Sequence, residues 1–322
     1  MRLHVRMTAE TMTRIPPRQP PIAHLRRIGA AVDPYPEGQD AAALAAALTA
    51  AVSSSTGAEL MLMSVEPDLP LIIPGLDRTR IRAETTALLA QTRATWSPEA
   101  RTRIVTDLSV PHGLERLVRD QRRDLLVMGS SRHAADGEVG IARRTRQLLH
   151  DLECSLAIAP RGLSHEPVAL KRIAVGFDGG SQSRLALSMA AGIAVANDAH
   201  LTVRGVIDDR VPALGWPQVW MGSIMEAWEE VIDGEEKTLR ELIVGATETL
   251  GVKADIDLRR GRPATSLRDL SEAVDLVVIG SRRWGPLARL LLGGTGEGLV
   301  HGAHCPLLIV PRSLGQLSRR GV

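Results

Sequence analysis

Short apolar runs bounded by turn residues alternate with stretches of helical periodicity along most of the chain. In the second half, the predicted strands are 172–177, 200–206, 253–258, 275–279 and 305–310, and the predicted helices are 181–196, 222–250, 263–272 and 295–302. The first half repeats this order, with strands near 27–32, 59–65, 102–107, 124–128 and 155–159 and an Ala-rich helix near 39–53. Several strands are apolar on both faces, which is typical of a parallel sheet covered by helices on both sides. The pattern predicts two α/β units, each with a five-stranded parallel sheet and right-handed crossovers.

Three blocks of sequence recur in the same order, which indicates an internal duplication. They pair RRIGAAVD at 26–33 with KRIAVGFD at 171–178, DLLVMGSSR at 124–132 with DLVVIGSRR at 275–283, and ECSLAIAPRG at 153–162 with HCPLLIVPRS at 304–313. The spacing is 145 for the first pair and 151 for the other two, so a longer connection is expected in the middle of the second copy. We predict one domain at 23–162, a second at 171–315, and a disordered Arg- and Pro-containing extension at 1–22.

The composition is typical of a globular protein and does not by itself indicate a particular ligand or reaction. Hydrophobic residues make up 44% and charged residues 24% of the chain, as in ordinary globular proteins, and the net charge of +2 gives no reason to expect a nucleic-acid partner. No run of 18 apolar residues exists, so no membrane partner is expected, and the first 22 residues lack the apolar core of a signal peptide. We therefore expect a cytoplasmic protein.

His301, His304 and Cys305 lie close together in the sequence, but we predict no metal site there.

Ligands of open parallel sheets bind beyond the carboxyl ends of the strands, where the strand order reverses. After the first strand of the second copy, Asp178 and Gly179 form a tight turn that enters a helix. After the fourth strand, the Gly-rich segment 280–297 ends in Gly293-Gly294-Thr295-Gly296 and another predicted helix. Backbone N–H groups and a hydroxyl at such a position can hold phosphate, and Arg282 and Arg283 can add charge-assisted contacts.

The motifs VGFDGG, GSRRWGPLARLLLGG and HGAHCPLLIVPR resemble those of universal stress proteins, and the resemblance runs through both halves from about residue 25. It implies two tandem adenine-nucleotide alpha-hydrolase-like (Rossmann-like) domains. The nucleotide-binding pattern of the family is Gly, two residues, Gly, nine residues, Gly, then Ser or Thr. Gly280 and Gly293 fit this pattern, but Arg283 replaces the middle glycine, and Thr295 lies one step beyond the hydroxyl position, which Gly294 occupies.

The resemblance implies that the second copy binds ATP, with Mg²⁺ accompanying the nucleotide. Asp178 would then lie near the ribose or the metal-triphosphate region, the backbone around Val206 would face adenine, and Gly280, Gly293 and Thr295 would hold phosphates. The predicted site comprises Asp178, Gly179, Val206, Gly280, Arg282, Arg283, Gly293, Gly294, Thr295 and Gly296.

The first copy departs further from the family pattern. Arg132 occupies the second glycine position, and Ala142 and Arg143 stand where Gly and Ser or Thr are expected. Side chains there would intrude where a backbone must approach a phosphate. Two interpretations remain open: a non-binding domain kept for pairing, which we favour, or an anion site formed by Arg143, Arg144 and Arg146.

The resulting hypothesis is an ATP-binding stress-response or regulatory protein with at most weak ATPase activity and no catalytic residue that we can name. The alternatives are a nucleotide-free interaction module with two degenerate sites and, less favoured, an adenylating transferase of the wider group. By resemblance, the last strands of the two copies, CSLAIA and CPLLIV, pair to form an internal pseudo-dimer. A further homo-oligomer and an unknown protein partner are left open.

Overall fold

Ten strands form one sheet in the computed structural model, which describes residues 25–68, 77–141, 152, 154–210, 221–281 and 294–311. The predicted extension 1–22 lies outside the described residues. In the first half the elements are β1 (Arg27–Ala31), α1 (Pro36–Thr56), β2 (Glu59–Pro67), α2 (Arg78–Trp96), β3 (Arg101–Asp107), α3 (Val110–Asp120), β4 (Leu125–Gly129) and β5 (Ser155–Ala159). In the second half they are β6 (Arg172–Phe177), α4 (Ser181–Asn197), β7 (His200–Ile207), α5 (Met221–Leu250), β8 (Asp255–Arg260), α6 (Pro263–Ser271), β9 (Leu276–Gly280), α7 (Gly294–Leu299) and β10 (Leu307–Val310).

The strand order is β3-β2-β1-β4-β5-β10-β9-β6-β7-β8, so each half contributes five adjacent strands. Neighbouring strands within each half are parallel, whereas β5 and β10 pair antiparallel, with Leu308 opposite Ala157. The predicted five-stranded parallel sheets are confirmed, and the last strands pair as the resemblance implied. In the second half the order reverses between β6 and β9, which places a crevice at the carboxyl ends of these two strands.

Each face of the sheet carries an apolar cluster that spans both halves. On one face, α1, α2, α4 and α5 cover the strands, and on the other face α3, α6 and α7 do so. The central strands β5, β9 and β10 are buried along almost their whole length because helices lie on both sides of them. The two halves therefore share their cores.

Three elements in the second half differ from the sequence-based prediction by two residues or more, and one of them is the last strand, which begins at residue 307 instead of 305. The third strand runs over 255–260 instead of 253–258, because Gly251 ends α5 in a left-handed conformation and the Val252 N–H donates back to the Thr247 carbonyl. As an exposed edge strand it includes Arg259 and Arg260, which apolar patterning does not mark. The last helix spans 294–299 instead of 295–302.

The longer connection of the second copy lies between β7 and β8. Most of the extra length is in α5, which has 30 residues where α2 has 19.

The linker between the halves is fastened to α1 by one buried carboxylate. Asp40 accepts hydrogen bonds from the Gly162 and Ser164 amides, each at 2.8 Å, and from the Ser164 hydroxyl at 2.6 Å. A short 3-10 helix, Leu163–His165, forms at this point. Because Asp40 is 1% exposed, these bonds lie away from solvent and fix the path of the chain between the halves.

An aspartate just before the fourth strand of each half ties that strand to the start of the first. Asp275 accepts from the amides of Lys171 and Arg172 at 2.8 Å and from the Arg172 guanidinium at 2.6 Å. Asp124 contacts Arg27 in the same way. Burial opposes ionisation of Asp275, but the hydrogen bonds from Arg172 and Lys171 outweigh it and lower the pKa of this carboxyl.

We expect Asp275→Ala to lower the free energy of unfolding at pH 7 by about 2 kcal/mol, since hydrogen bonds to a charged group are lost. A lowered pKa stabilises the fold above the unfolded pKa near 3.8, and this contribution disappears as the pH falls through the folded pKa. Urea unfolding at pH 7 and below pH 3 should therefore show a difference between variant and wild type that shrinks in acid. Asp255→Ala, at a side chain that is 75% exposed, is the control with little effect. A difference that stayed constant down to pH 2 would contradict the assignment.

Candidate functional site

The turn after β6 holds Asp178 at the carboxyl end of the strand. Gly179 adopts φ +79°, a conformation that favours glycine, and Gly180 is the N-cap of α4. Oδ1 of Asp178 accepts from the Gly180 amide at 3.0 Å and from the Ser183 hydroxyl at 2.7 Å. Ser183 is buried, so the carboxylate is held in one orientation by the first turn of α4.

A cleft of about 410 Å³ opens beside this carboxylate, within the size range of small-molecule sites. It is lined by residues from three strands and three helices. They are Gly176, Phe177, Asp178, Gln182, Ser183, Arg204, Val206, Pro263, Leu267, Ile279, Gly280, Thr295 and Gly296. The cleft lies at the reversal of strand order between β6 and β9, and open α/β sheets commonly bind ligands at such a position.

The sequence-predicted residues fall into three groups. Asp178, Val206, Gly280, Thr295 and Gly296 all line the cleft, so the structure brings them together. Gly179 forms the turn beside Asp178, and Gly294 begins α7. Arg282, Arg283 and Gly293 lie outside the described residues.

Gly280 has a close neighbour within the protein itself. A Cβ at this position would lie 2.6 Å from both the carbonyl carbon and the carbonyl oxygen of Gln182, in the first turn of α4. The matching Gly129 of the first half shows the same feature, because a Cβ there would lie 2.0 Å from the Glu37 carbonyl oxygen. The glycine is therefore required for packing of the helix on the strand in both halves, whether or not a ligand binds.

Arg204 is the main cleft residue that sequence reasoning missed. It is 8% exposed, and its guanidinium donates to Ser266 at 2.9 and 3.0 Å and to Asp257 at 2.5 Å. Its Nε–H has no hydrogen-bond partner among the described residues. A charged residue inside the apolar run LTVRGVI was the signal that could have indicated it, because a buried charge needs a built environment.

The walls of the cleft combine apolar and polar chemistry. Val206, Leu267 and Ile279 offer aliphatic surface of the kind that contacts a planar base. Asp178 contributes a carboxylate, Arg204 a guanidinium and Thr295 a hydroxyl. The site can thus contact a ligand that has an apolar ring system and several hydrogen-bonding groups.

The corresponding turn of the first half differs in its surroundings. Asp33 accepts from the Tyr35 amide at 3.1 Å, and a Cβ on Gly38 would lie 2.6 Å from the Asp33 backbone. The surrounding chain partly removes the Asp33 carboxylate from water, which raises its pKa, and the negative charge of Glu37 raises it further. Arg132 lies over the Tyr35 ring at 6.0 Å. Ala142, Arg143, Arg144 and Arg146 are outside the described residues, so the anion-site interpretation stays open.

The cysteine that precedes β10 has an unreactive thiol at neutral pH. Cys305 is 4% exposed, and burial raises the pKa of its thiol to about 12. It therefore remains a protonated thiol at neutral pH. Within the part of the chain that the structure describes, no group of three His, Cys, Asp or Glu side chains is arranged to hold a metal ion.

Comparison with known proteins assigns the family. Residues 24–160 and 169–311 both match the universal stress protein family. The chain belongs to the universal stress protein family. A universal stress protein of Mycolicibacterium smegmatis is 33% identical over 143 residues, which cover 43% of this chain and 47% of the relative. A universal stress protein of Methanocaldococcus jannaschii is 31% identical over 144 residues, 44% of this chain and 82% of that protein. The chain spans about half the length of the mycobacterial relatives that it matches.

Solved structures support the tandem fold. A functionally unknown protein of Pseudomonas aeruginosa matches with a TM-score of 0.62 and 16% identity, covering 93% of this chain and 99% of its own. A universal stress protein of Archaeoglobus fulgidus gives 0.61 and 15%, covering 90% and 97%. At these identities the likeness concerns the fold alone.

Among the described helices of this universal stress protein, none is both long and apolar enough to cross a membrane.

Proposed function

We propose that the second half of this universal stress protein binds an adenine nucleotide, ATP with Mg²⁺, and that the bound nucleotide regulates the protein in a stress response. The observation that carries the proposal is that Asp178, Val206, Gly280, Thr295 and Gly296 line one cleft of about 410 Å³. These residues were predicted from separate sequence motifs, and they meet at the edge where α/β sheets bind ligands.

Each wall of the cleft has a role in this proposal. The aliphatic surface of Val206, Leu267 and Ile279 receives the base, and Asp178 accepts a hydrogen bond from the ribose or joins the phosphates in binding Mg²⁺. Mg²⁺ is commonly held by one or two carboxylates together with substrate phosphates, so a single aspartate fits this use. Thr295 and Gly296 contact the phosphates. Oδ1 of Asp178 already accepts hydrogen bonds from the Gly180 amide and the Ser183 hydroxyl. Because this carboxylate is engaged in holding the turn at α4, it is poorly placed to act as a general base, and any hydrolysis of ATP is expected to be weak.

The first half is proposed not to bind a nucleotide. Ala142 and Arg143 stand where the second half has Gly293 and Gly294, and the turn after Asp33 contains prolines where the turn after Asp178 has two glycines. One nucleotide per chain is therefore expected.

Titration of ATP and Mg²⁺ into nucleotide-stripped protein tests the proposal. We expect a stoichiometry near one, and Asp178→Ala should weaken binding by about 10- to 100-fold, since hydrogen bonds to an ionised group contribute about 1.5–3 kcal/mol. Asp33→Ala, the same change in the first half, is the matched control and should leave the affinity unchanged.

Three other results would lead elsewhere. A stoichiometry near two, with a loss in Asp33→Ala, would show that the first half binds as well. Equal affinity for wild type and Asp178→Ala would remove the proposed site. No binding by wild type would refute the nucleotide proposal and favour an interaction module.

A further inference from the structure

The loop after β4 of the first half, residues 130–141, reaches across to the second half, and we name it the bridging loop. Its Val139 donates its N–H to the Ala303 carbonyl at 2.7 Å and accepts from the Gly302 N–H at 2.9 Å. Gly140 and His301 form an antiparallel bridge at the same place. The bridging loop thus adds a short two-stranded contact between the halves, separate from the β5–β10 pair.

A third backbone bond extends this contact toward the cleft. The Ile141 N–H donates to the Val300 carbonyl at 3.2 Å, one residue beyond the end of α7. Val300 in turn donates its N–H to the Gly296 carbonyl at 3.0 Å, and Ala303 donates to the Leu299 carbonyl at 3.1 Å. The segment held by the bridging loop is therefore a direct continuation of the helix that carries Thr295 and Gly296.

Side chains reinforce the backbone bonds. Val139 is 1% exposed and packs in the same apolar cluster as Leu299, Val300 and Ala303, each of which is fully buried. Burial of several aliphatic side chains at one point resists separation of the two segments.

The bridging loop is itself firmly attached to the first half. The Gly137 N–H donates to the Arg161 carbonyl at 2.9 Å, and the Arg161 N–H donates to the Glu138 carbonyl at 3.1 Å. The buried Ser130 accepts from the Gly140 N–H at 3.1 Å and donates to the Ala159 carbonyl at 2.6 Å. The contact with α7 is thus anchored to β5 of the first half.

We propose that the bridging loop positions α7, so that the first half, which lacks the nucleotide pattern, sets the nucleotide affinity of the second half. The idea rests on the proposed function for its ligand. A helix of six residues is too short to be stable through its own hydrogen bonds, so tertiary contacts must hold it in place. Val139, Gly140 and Ile141 supply such contacts from outside the second half, and they act on the end of α7 opposite to Thr295.

Val139→Pro tests this proposal because it removes the N–H that donates to Ala303 and leaves the cleft residues unchanged. We expect the affinity for ATP with Mg²⁺ to fall at least fivefold. Hydrogen exchange of the Val300 and Ala303 amides should accelerate. These amides donate to the carbonyls of Gly296 and Leu299, so their exchange rates report how firmly α7 and its continuation are held. Val139→Ala, which keeps the N–H and trims the buried side chain, is the milder variant and should shift both quantities in the same direction by less.

Leu89→Ala is the matched control. Leu89 is 1% exposed on α2, in the apolar cluster on the opposite face of the sheet, so the change destabilises the first half without touching the bridging loop. It should lower the melting temperature and leave ATP affinity unchanged. Val139 variants that fold, bind ATP like wild type and keep the exchange rates of Val300 and Ala303 would overturn the proposal. If the wild type binds no ATP, the proposed function fails on its own, and the exchange rates still decide whether the bridging loop holds α7.

Discussion

Gly280→Ala is expected to lower the free energy of unfolding by about 3 kcal/mol, at the upper end of the range for overpacked sites. The added Cβ would lie 2.6 Å from the backbone carbonyl of Gln182, and backbone in the first turn of α4 cannot rotate away as a side chain tip can. The turn must shift, and the Ser183 hydroxyl that holds Asp178 shifts with it. Urea unfolding followed by circular dichroism gives the stability, and ATP titration should show weaker binding.

Two glycine controls separate packing from ligand binding. Gly294→Ala should change the unfolding free energy by at most about 1 kcal/mol, because no atom of the described residues lies within 4 Å of its Cβ position. Gly129→Ala in the first half should destabilise at least as much as Gly280→Ala, since the Glu37 carbonyl oxygen is only 2.0 Å from the Cβ position. Stability close to wild type for Gly280→Ala would show that the strand and helix are not packed as described.

Arg204→Met is expected to lower the free energy of unfolding by about 2 kcal/mol. The change removes a buried guanidinium and leaves Oδ2 of Asp257 and the Ser266 carbonyl without the donor that Arg204 supplies, and unpaired polar groups inside a protein are costly. Arg259 remains 2.8 Å from the other Asp257 oxygen, which keeps the loss below that of a fully orphaned buried charge.

The control for this prediction uses the same carboxylate. Arg259 is 61% exposed, so Arg259→Met should cost no more than about 0.5 kcal/mol in the same urea experiment. The double variant Arg204→Met with Asp257→Asn should recover part of the loss, because a neutral amide is cheaper to leave without a donor. Equal losses for the two arginine variants would contradict the idea that burial makes the Arg204 pair important.

Most of the strands were predictable from the chain because their apolar character is continuous. The strands β4, β9 and β10 are buried on both faces, so their residues are apolar without alternation and stand out from the flanking turns. The third strand of the second half was misplaced by two residues for the opposite reason. It lies at the edge of the sheet, and its exposed arginines carry no apolar signal.

The residues of the candidate site were also predictable from the sequence only in part. Asp178 and Gly280 directly follow or end strands, so their meeting at one edge of a parallel sheet was implied by the strand assignment. Arg204 was not predicted, because its burial depends on Ser266 and Asp257, which reach it only when α6 and β8 are in place. The packing role of Gly280 against Gln182 was equally invisible in the chain.

The amino-acid pattern alone was enough to predict the duplication of an α/β unit, the order of the strands and helices, and the strand ends at which a ligand is expected. These properties follow from local periodicity and from internal repetition, which adjacent residues record. The buried environment of Arg204, the need for glycine at position 280 and the contact of the bridging loop with the end of α7 could be seen only in the folded protein. Each of these joins segments that are distant along the chain, and it exists because the two halves share one sheet and two common cores.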